Sequence, residues 1–533
     1  MPARPRSSAP FALALFVTLT VLALLASVSL PTPSTEARSL LALSTVCPPS
    51  ISFGETIQCS GDYPQVAKKP KVLLGRGTVG MLLHPTTRSR ATMNTALESI
   101  VAKLPILEIQ KTIQSHTAPL MDMLPDKRMK AVIELMVLGI LGSQTPLITG
   151  MARSNQKEAG ETWAVARRMY RLMANERLKT TVIYQGLYQV GQKVVESENP
   201  DYLVVAVDPV NFEKPYTEAL EGVSVVHKAT PPDLKGHARL AHGYPAITAT
   251  IVNTKVPVTS YANWFSYQTA DFISQNKEVE QAFETTHRLY LGRKIRFVGD
   301  SGLDDQKMFA QVVKLGQEFI FRVSHLERIV EVYNDRLDRW ETEKLQDLVE
   351  SVPPQATFQV VFKHAGKTRF DTVHFGWFKV RLPGRQEPLW ILVADDETLN
   401  RQLVLITNIP LTGVSVMKQV YNDWRLRARI EHGYRFEQEQ GLDVEDMRLQ
   451  TVDRMRRLFA VILLAAQIVC AISEQWPPKA VLWLRQLGGK LGIPTDRDGP
   501  YWLLQGISAV IVTAMTLSFV FLHPFPFQEF TCG

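Results

Sequence analysis

Cysteine is scarce in this chain of 533 residues, with only four, at positions 47, 59, 470 and 532. No two of them form a Cys-x-x-Cys pair, and no histidine stands at the spacing that zinc modules use. Neither a zinc module nor a disulfide scaffold is therefore indicated, although Cys47 and Cys59 could pair if the N-terminus were exported. An internal repeat at a fixed period is also missing.

The composition is not that of a disordered protein, because hydrophobic residues make up 45% of the chain and charged residues 21%. At this length about two to four domains are expected. The net charge of +7 permits a polyanionic partner. The excess lies in residues 61–200, which hold 19 Lys and Arg against 11 Asp and Glu. This region is either DNA-binding or presents a solvated helical face.

Two apolar runs are long enough to cross a membrane. Residues 11–30 are uncharged and follow Arg4 and Arg6, which is typical of a signal peptide or a membrane anchor. Residues 503–522 form the second run, but five polar side chains within it fit a buried helix equally well.

Changes of period divide the chain into six segments. In order, these are an apolar leader outside the catalytic unit, a basic helical region that is a candidate for DNA binding, the first part of an α/β core, a β-rich insertion, the second part of the core and a C-terminal helical region. Their bounds are 1–60, 61–198, 199–324, 325–412, 413–475 and 476–533.

The first core segment predicts three strands, a helix, a strand, a helix and a strand. The corresponding ranges are 202–208, 223–229, 246–254, 272–291, 295–300, 304–316 and 318–323. This order resembles the ribonuclease H-like fold, an α/β architecture with a mixed sheet and helices on both faces. In that fold the first and fourth strands are neighbours. Trp377 and Trp390 are expected to pack the core of the insertion.

Three acids stand at the ends of predicted core elements. Asp208 ends the first strand, Asp300 ends the fourth, and Glu431 lies on a helix predicted over 414–441. In the resembled fold they would meet at one rim of the sheet, where their mutual repulsion calls for divalent cations. A plainer interpretation also exists for the acids after Asp300, since Asp304 or Asp305 could cap the following helix.

A mixed stripe follows this last helix. Its members are spaced three and four residues apart: Trp424, Arg427, Glu431, Tyr434 and Gln438. By structure alone, Arg427 and Glu431 could form a surface ion pair.

The motifs "VAVDPVNFEK", "IRFVGDSGLDD" and "YNDWRLRARIEHGYRFEQEQGLDVEDMR" resemble those of the DDE transposases of bacterial insertion sequences, in the subgroup with a β-strand insertion before the catalytic Glu. That subgroup has a motif of Tyr, two residues, Arg, three residues, Glu, six residues and Lys. Trp424, Arg427, Glu431 and Gln438 occupy these places, so Arg427 and Glu431 match by identity.

The resemblance implies a catalytic and metal-binding set of Asp208, Asp300 and Glu431, holding two Mg²⁺ or Mn²⁺ ions. It implies that Arg427 neutralises a phosphate. The other implied DNA contacts are Trp424, Gln438, Arg435, Lys214 and Tyr434. DNA is the implied partner, with a homodimer in the synaptic complex and no small-molecule substrate. A cytoplasmic, nucleoid-associated location follows, and membrane contact through 11–30 is not favoured.

Two other functions stay open on the sequence. One is a metal-dependent nuclease or resolvase of the same fold without strand transfer. The other is a membrane-anchored or exported protein with an inactive core. His227, His237 and His242 fit no metal motif and are expected to be surface or core histidines. Asp395 and Asp396 are expected in a turn.

Overall fold

The computed structural model describes residues 103–522, with gaps at 156–160, 215–218, 229–238, 335–336, 365–366, 398–400, 439–440 and 490–499. The chain divides into two units, Met1–Leu104 with Thr516–Gly533, and Pro105–Met515. All the elements below belong to the second unit, apart from the end of the last helix. The predicted leader and its apolar run lie outside the described residues.

Thirteen α-helices are present in the described ranges. They are Ile106–Met123 (α1), Lys127–Ser143 (α2), Ile148–Arg153 (α3), Thr162–Met173 (α4), Thr180–Glu198 (α5), Gln275–Leu289 (α6), Gln306–Lys314 (α7), Leu345–Ser351 (α8), Val414–Arg425 (α9), Ala428–Gln438 (α10), Val452–Gln475 (α11), Pro478–Gly488 (α12) and Pro500–Leu522 (α13). Two 3-10 helices cover Ser301–Leu303 and Val444–Asp446.

Twelve strands form one sheet in the same part of the chain. They are Leu203–Glu213 (β1), Ser224–His227 (β2), Leu240–Ile251 (β3), Val258–Trp264 (β4), Ile295–Gly299 (β5), Glu318–Arg322 (β6), Ile329–Asn334 (β7), Arg339–Lys344 (β8), Ala356–His364 (β9), Lys367–Arg381 (β10), Pro388–Asp396 (β11) and Arg401–Thr407 (β12).

The sheet is mixed and mostly antiparallel. Its order is β2-β3-β1-β5-β6-β12-β11-β10-β7-β8, with β4 paired to β3 and β9 to β10. Only β5 pairs in parallel, with β1 on one side and β6 on the other. The predicted fold class, a mixed sheet flanked by helices, is confirmed, and the first and fourth predicted strands are neighbours.

Helices cover both faces of the sheet, and the alternation along β1 shows how. Leu203, Val205 and Val207 point into a core that includes residues of α5, α6 and α7. Val204 and Ala206 point into the opposite core, built with α9 and α10. Because successive side chains of a strand alternate between faces, Asp208 belongs to the α9 and α10 face.

The predicted second strand is present as the short edge strand β2, and the predicted third strand as β3. Strand β4, which pairs with β3, was missed because Ser260 and Asn263 interrupt its apolar pattern. The β-rich segment predicted as an inserted subdomain continues the central sheet, since β12 pairs with β6. Two of its strands were also missed: β8 is polar apart from Trp340 and mostly exposed, and β7 is short and has one buried residue, Val330.

The helix predicted over 414–441 is broken, and this corrects the single stripe expected there. It ends at Arg425 and restarts at Ala428, with Arg427 N–H bonding the Trp424 carbonyl in a tightened turn. The two parts are anchored separately. Asp423 of α9 pairs with Arg296 on β5, whereas Arg429 of α10 donates to carbonyls in the loop after β3, which includes Val252.

Two described helices are long and apolar enough to cross a membrane. The most apolar 18-residue window of Val452–Gln475 has a mean hydropathy of 2.0 and is 89% buried inside the protein, and Pro500–Leu517 has 1.4 and is 39% buried. The core helix of a soluble protein passes the same test. These helices are therefore weak indicators of a membrane protein.

Candidate active site

Asp208 lies inside β1, at the point where the neighbouring β5 has ended. The parallel pairing of the two strands stops at Ala206 and Val298, while β1 continues to Glu213 opposite β3. The backbone of Asp208 is therefore paired with β3, but on the side where β5 has ended the residue faces an open rim of the sheet. The pKa of Asp208 is raised to about 7, mainly by burial. Arg427 opposes this effect, and the charges of Asp300 and Glu431 add to it.

Asp300 follows the last residue of β5 and precedes the 3-10 helix. Its Oδ1 is buried and has no hydrogen-bond partner among the described residues. The nearest cation is Arg322 at the end of β6, whose Nη1 lies 3.6 Å from that oxygen. Asp305 caps α7 by accepting a bond from the Lys307 N–H, as predicted for an acid in this loop. Asp300 is thus left free of a capping role.

Arg427 connects the other two acids. Its Nη2 lies 2.5 Å from Oε1 of Glu431, and its Nη1 lies 3.8 Å from Oδ2 of Asp208. The ion pair between Arg427 and Glu431 is present, but it faces the sheet rim, because the Arg427 side chain is only 13% exposed. Asp300 and Glu431 therefore both lie within electrostatic range of Asp208, and the Arg427 guanidinium pairs with Asp208 and Glu431.

The described residues contain no group of three Asp, Glu, His or Cys side chains close enough to hold one ion. Arg427 pairs with both Asp208 and Glu431, so these two carboxylates share a guanidinium. The donors themselves are carboxylate oxygens, the ligands that Mg²⁺ and Mn²⁺ prefer. The buried Oδ1 of Asp300 has no hydrogen bond to lose to such an ion, although Arg322 lies 3.6 Å away.

Trp424 is half-buried and holds the end of β5 in place, while its predicted contact with DNA stays a prediction. Its Nε1–H donates to the carbonyl of Gly299 at 3.1 Å, the residue before Asp300. The side chain also packs against the core on this face. The side chains of Tyr434, Arg435 and Gln438 lie outside the described residues, so their DNA-binding role stays a prediction.

We expect Trp424→Phe to slow metal-dependent DNA cleavage roughly 10- to 100-fold, the usual effect of losing a group that orients a metal ligand. Phenylalanine keeps the packing but cannot donate to Gly299. DNA affinity should change little, because phenylalanine keeps a ring at this position and the lost indole N–H is already bonded to the Gly299 carbonyl. Cleavage rates and binding isotherms for the two proteins measure this, and weakened binding at an unchanged rate would contradict it.

Lys214 is also not available to DNA, contrary to the prediction. It is 4% exposed, and its Nζ donates to the carbonyls of Val444, Glu445 and Met447. Burial lowers its pKa to about 8. Lys214 therefore ties the end of β1 to the segment that follows α10.

A buried ionic network that the sequence analysis missed lies beneath the rim. Arg296 of β5 donates to Glu318 of β6 at 2.7 and 3.0 Å, and it also bonds Asp423 of α9. The hydroxyl of Tyr202 donates to the same Asp423 carboxylate, and Arg296 lies over the Tyr202 ring at 4.5 Å. The signal was present in the sequence, since a strand buried on both faces should not carry an arginine without a partner.

The remaining candidates stay away from the acids. His227 is exposed and His242 half-buried on β2 and β3, whereas His237 lies outside the described residues. Asp395 and Asp396 end β11 and pair across the hairpin with β12. Two tryptophans, Trp377 and Trp390, pack against the α9 and α10 core, as predicted for the insertion.

Comparisons with known proteins add little to this geometry. No protein-family model matches the sequence, and no curated protein matches it. Among solved structures, the chain is similar to the piggyBac transposase in a synaptic complex with hairpin DNA, with a TM-score of 0.38, 8% sequence identity and 74% of each chain covered. This is a distant likeness in fold to a transposase, and the function has to rest on the residues of the site.

Proposed function

We propose that this protein is a DNA transposase that cleaves DNA at transposon ends and joins the ends to a target. The observation that supports this most directly is that Asp300 and Glu431 both lie within electrostatic range of the buried Asp208 at one rim of a mixed sheet. The three carboxylates come from separate parts of the chain. Burial, together with the charges of Asp300 and Glu431, raises the pKa of Asp208, which costs folding free energy when Asp208 is charged.

In this proposal, the carboxylates of Asp208, Asp300 and Glu431 would together hold two Mg²⁺ or Mn²⁺ ions. Such ions would lower the pKa of a water or of a DNA 3′-hydroxyl and neutralise the leaving oxygen of an in-line displacement. Asp208 must first lose its proton, which its pKa of about 7 allows near neutral pH. Strands β1 and β5 keep Asp208 and Asp300 in place throughout.

Arg427 supplies the second element of the mechanism. When the carboxylates take up cations, its guanidinium loses its present partners and becomes free to pair with a phosphate through two parallel N–H bonds. A phosphate next to the scissile bond is the partner within its reach. We propose that two copies of the chain pair the two ends, since each end needs one set of acids.

The proposal is tested by cleavage of the DNA that flanks the coding sequence. The full-length protein should nick these flanks in Mg²⁺ or Mn²⁺, expose 3′-hydroxyls and join them to a plasmid. Glu431→Gln should reduce both steps at least about a hundredfold, because a ligand to a catalytic ion contributes several kcal/mol. The matched control is Glu343→Gln, an exposed glutamate on β8.

Equal activity of Glu431→Gln and wild type would overturn the proposed function. Cleavage without any joined product would instead identify a nuclease or resolvase on the same site.

A further inference from the structure

Helix α4 presents an unusual solvent face. Trp163 is 56% exposed, and Arg167, Arg168 and Arg171 are all exposed on the same helix. Trp163, Arg167 and Arg171 follow one another at intervals of four, so they form one stripe about 12 Å long. The helix contains no Asp or Glu. None of these arginines forms an ion pair with any residue in the part of the chain that the structure describes.

The opposite face of α4 fixes this stripe in place. Its apolar side chains are buried: Val165, Ala166, Met169, Leu172 and Met173. They pack towards α2, α3 and α11. At the helix end, Arg457 of α11 donates to the carbonyl of Met173 at 2.5 Å. The arginine stripe is therefore rigidly oriented before any partner binds.

Like charges four residues apart destabilise a helix when no acid compensates them. A regularly spaced polyanion removes this cost. An anionic membrane is the weaker candidate, because a helix that binds at a lipid surface buries its apolar face in the lipid, and that face of α4 is already packed inside the protein. DNA presents phosphates along its backbone and needs only the polar face.

We propose that the α4 face formed by Trp163, Arg167, Arg168 and Arg171 binds the phosphate backbone of duplex DNA. This inference rests on the proposed function, because it takes DNA as the substrate, but it concerns a surface separate from the acids. The arginines neutralise phosphates, and the Trp163 ring packs against the sugar edge. The contact carries no sequence information and positions the duplex.

The test compares the triple variant Arg167→Gln, Arg168→Gln and Arg171→Gln with a control triple of the same charge change. The control replaces exposed cations on α6, β8 and α12, in Arg288→Gln, Lys344→Gln and Lys479→Gln. Binding of a labelled duplex of arbitrary sequence is measured with full-length protein in EDTA, from about 50 to 200 mM salt. Thermal melting confirms that both variants fold.

Each phosphate contact contributes about 0.9 to the slope of log affinity against log salt. The α4 triple should therefore flatten this slope by about 2–3, while the control leaves it unchanged. Trp163→Ala should weaken binding at every salt concentration without changing the slope, because tryptophan carries no charge. An unchanged slope in the α4 triple would overturn the proposal, and so would a loss of binding to phosphatidylserine vesicles with DNA binding intact.

This measurement is independent of the proposed catalysis, since EDTA prevents any metal-dependent cleavage. If the protein binds DNA through α4 but never cleaves it, the α4 proposal holds and the proposed transposase function is wrong. If the α4 triple variant binds and cleaves DNA like wild type, the transposase function can hold and the α4 proposal is wrong.

Discussion

Asp208→Asn is expected to abolish DNA cleavage and, at the same time, to stabilise the metal-free protein above about pH 7. The two effects have one cause. Asp208 is held in a buried position among two other acids, which suits a metal ligand but disfavours its charged form in the metal-free protein. Asparagine keeps the shape of the side chain and removes the charge. If Asp208 stabilised the metal-free protein, Asp208→Asn would instead lower its free energy of unfolding.

The size and pH range of the stabilisation follow from the pKa values. Folding raises the pKa of Asp208 from 3.8 to about 7. Because the folded-state value is the higher one, the penalty is absent below about pH 4, grows as pH rises, and is complete above about pH 7. At about 1.36 kcal/mol per pKa unit, the gain in Asp208→Asn is at most about 4 kcal/mol. Loss of the Arg427 contact offsets part of it.

Chemical denaturation of both proteins in EDTA, at pH 4, 6 and 8, measures this difference. The exposed Asp201 provides the control, since Asp201→Asn should change neither stability nor cleavage. Added Mn²⁺ should stabilise wild type more than Asp208→Asn, because only wild type keeps the full carboxylate set. A destabilised Asp208→Asn protein at pH 8, or one that still cleaves DNA, would contradict the assignment of Asp208.

Asp423→Ala is expected to lower the free energy of unfolding by about 3 kcal/mol. The side chains of Arg296 and Asp423 are only 4% and 9% exposed, and removing one partner of a buried pair costs about 3–5 kcal/mol. The lower end applies, because Arg296 keeps Glu318. Cleavage should also slow, since α9 carries Trp424 and leads into the turn that orients Arg427.

A double-mutant cycle separates the pair from its surroundings. The variants are Asp423→Ala, Arg296→Met and both together, with Asp122→Ala on α1 as an exposed control. The double variant should be more stable than the sum of the two single losses predicts. Each single variant leaves one member of the pair as a buried charge without this partner, and the double variant leaves neither. Additive losses would show that the two side chains do not stabilise each other.

The sequence predicted the parts of the fold that depend on strong periodic patterns. The buried strands around Asp208 and Asp300 and the apolar helix α11 could be identified in this way. Strands β7 and β8 at the far edge could not, because β7 is short with one buried residue and β8 carries mostly polar side chains, so neither has a strong periodic pattern. The pairing of β12 with β6 could not be predicted either, because no local sequence pattern indicates which strands pair.

The sequence singled out the three acids of the candidate site, whose catalytic role stays a proposal, but it did not predict the contacts around them. Asp208, Asp300 and Glu431 could be selected because each stands at a rim position of a predicted element. The buried role of Lys214 depends on carbonyls more than 200 residues away. The break before Ala428 depends on two separate anchors, Asp423 and Arg429, and helical spacing alone gave one continuous stripe.

The position of Arg427 between Asp208 and Glu431 has a consequence for the order in which ligands bind. In the proposed mechanism, a divalent ion shared by the two carboxylates would displace the guanidinium, which would then pair with a phosphate. Metal ions and DNA would each raise the affinity of the protein for the other, by the same factor. In the absence of DNA, the arginine would disfavour the loaded metal centre, which would limit hydrolysis of unintended substrates.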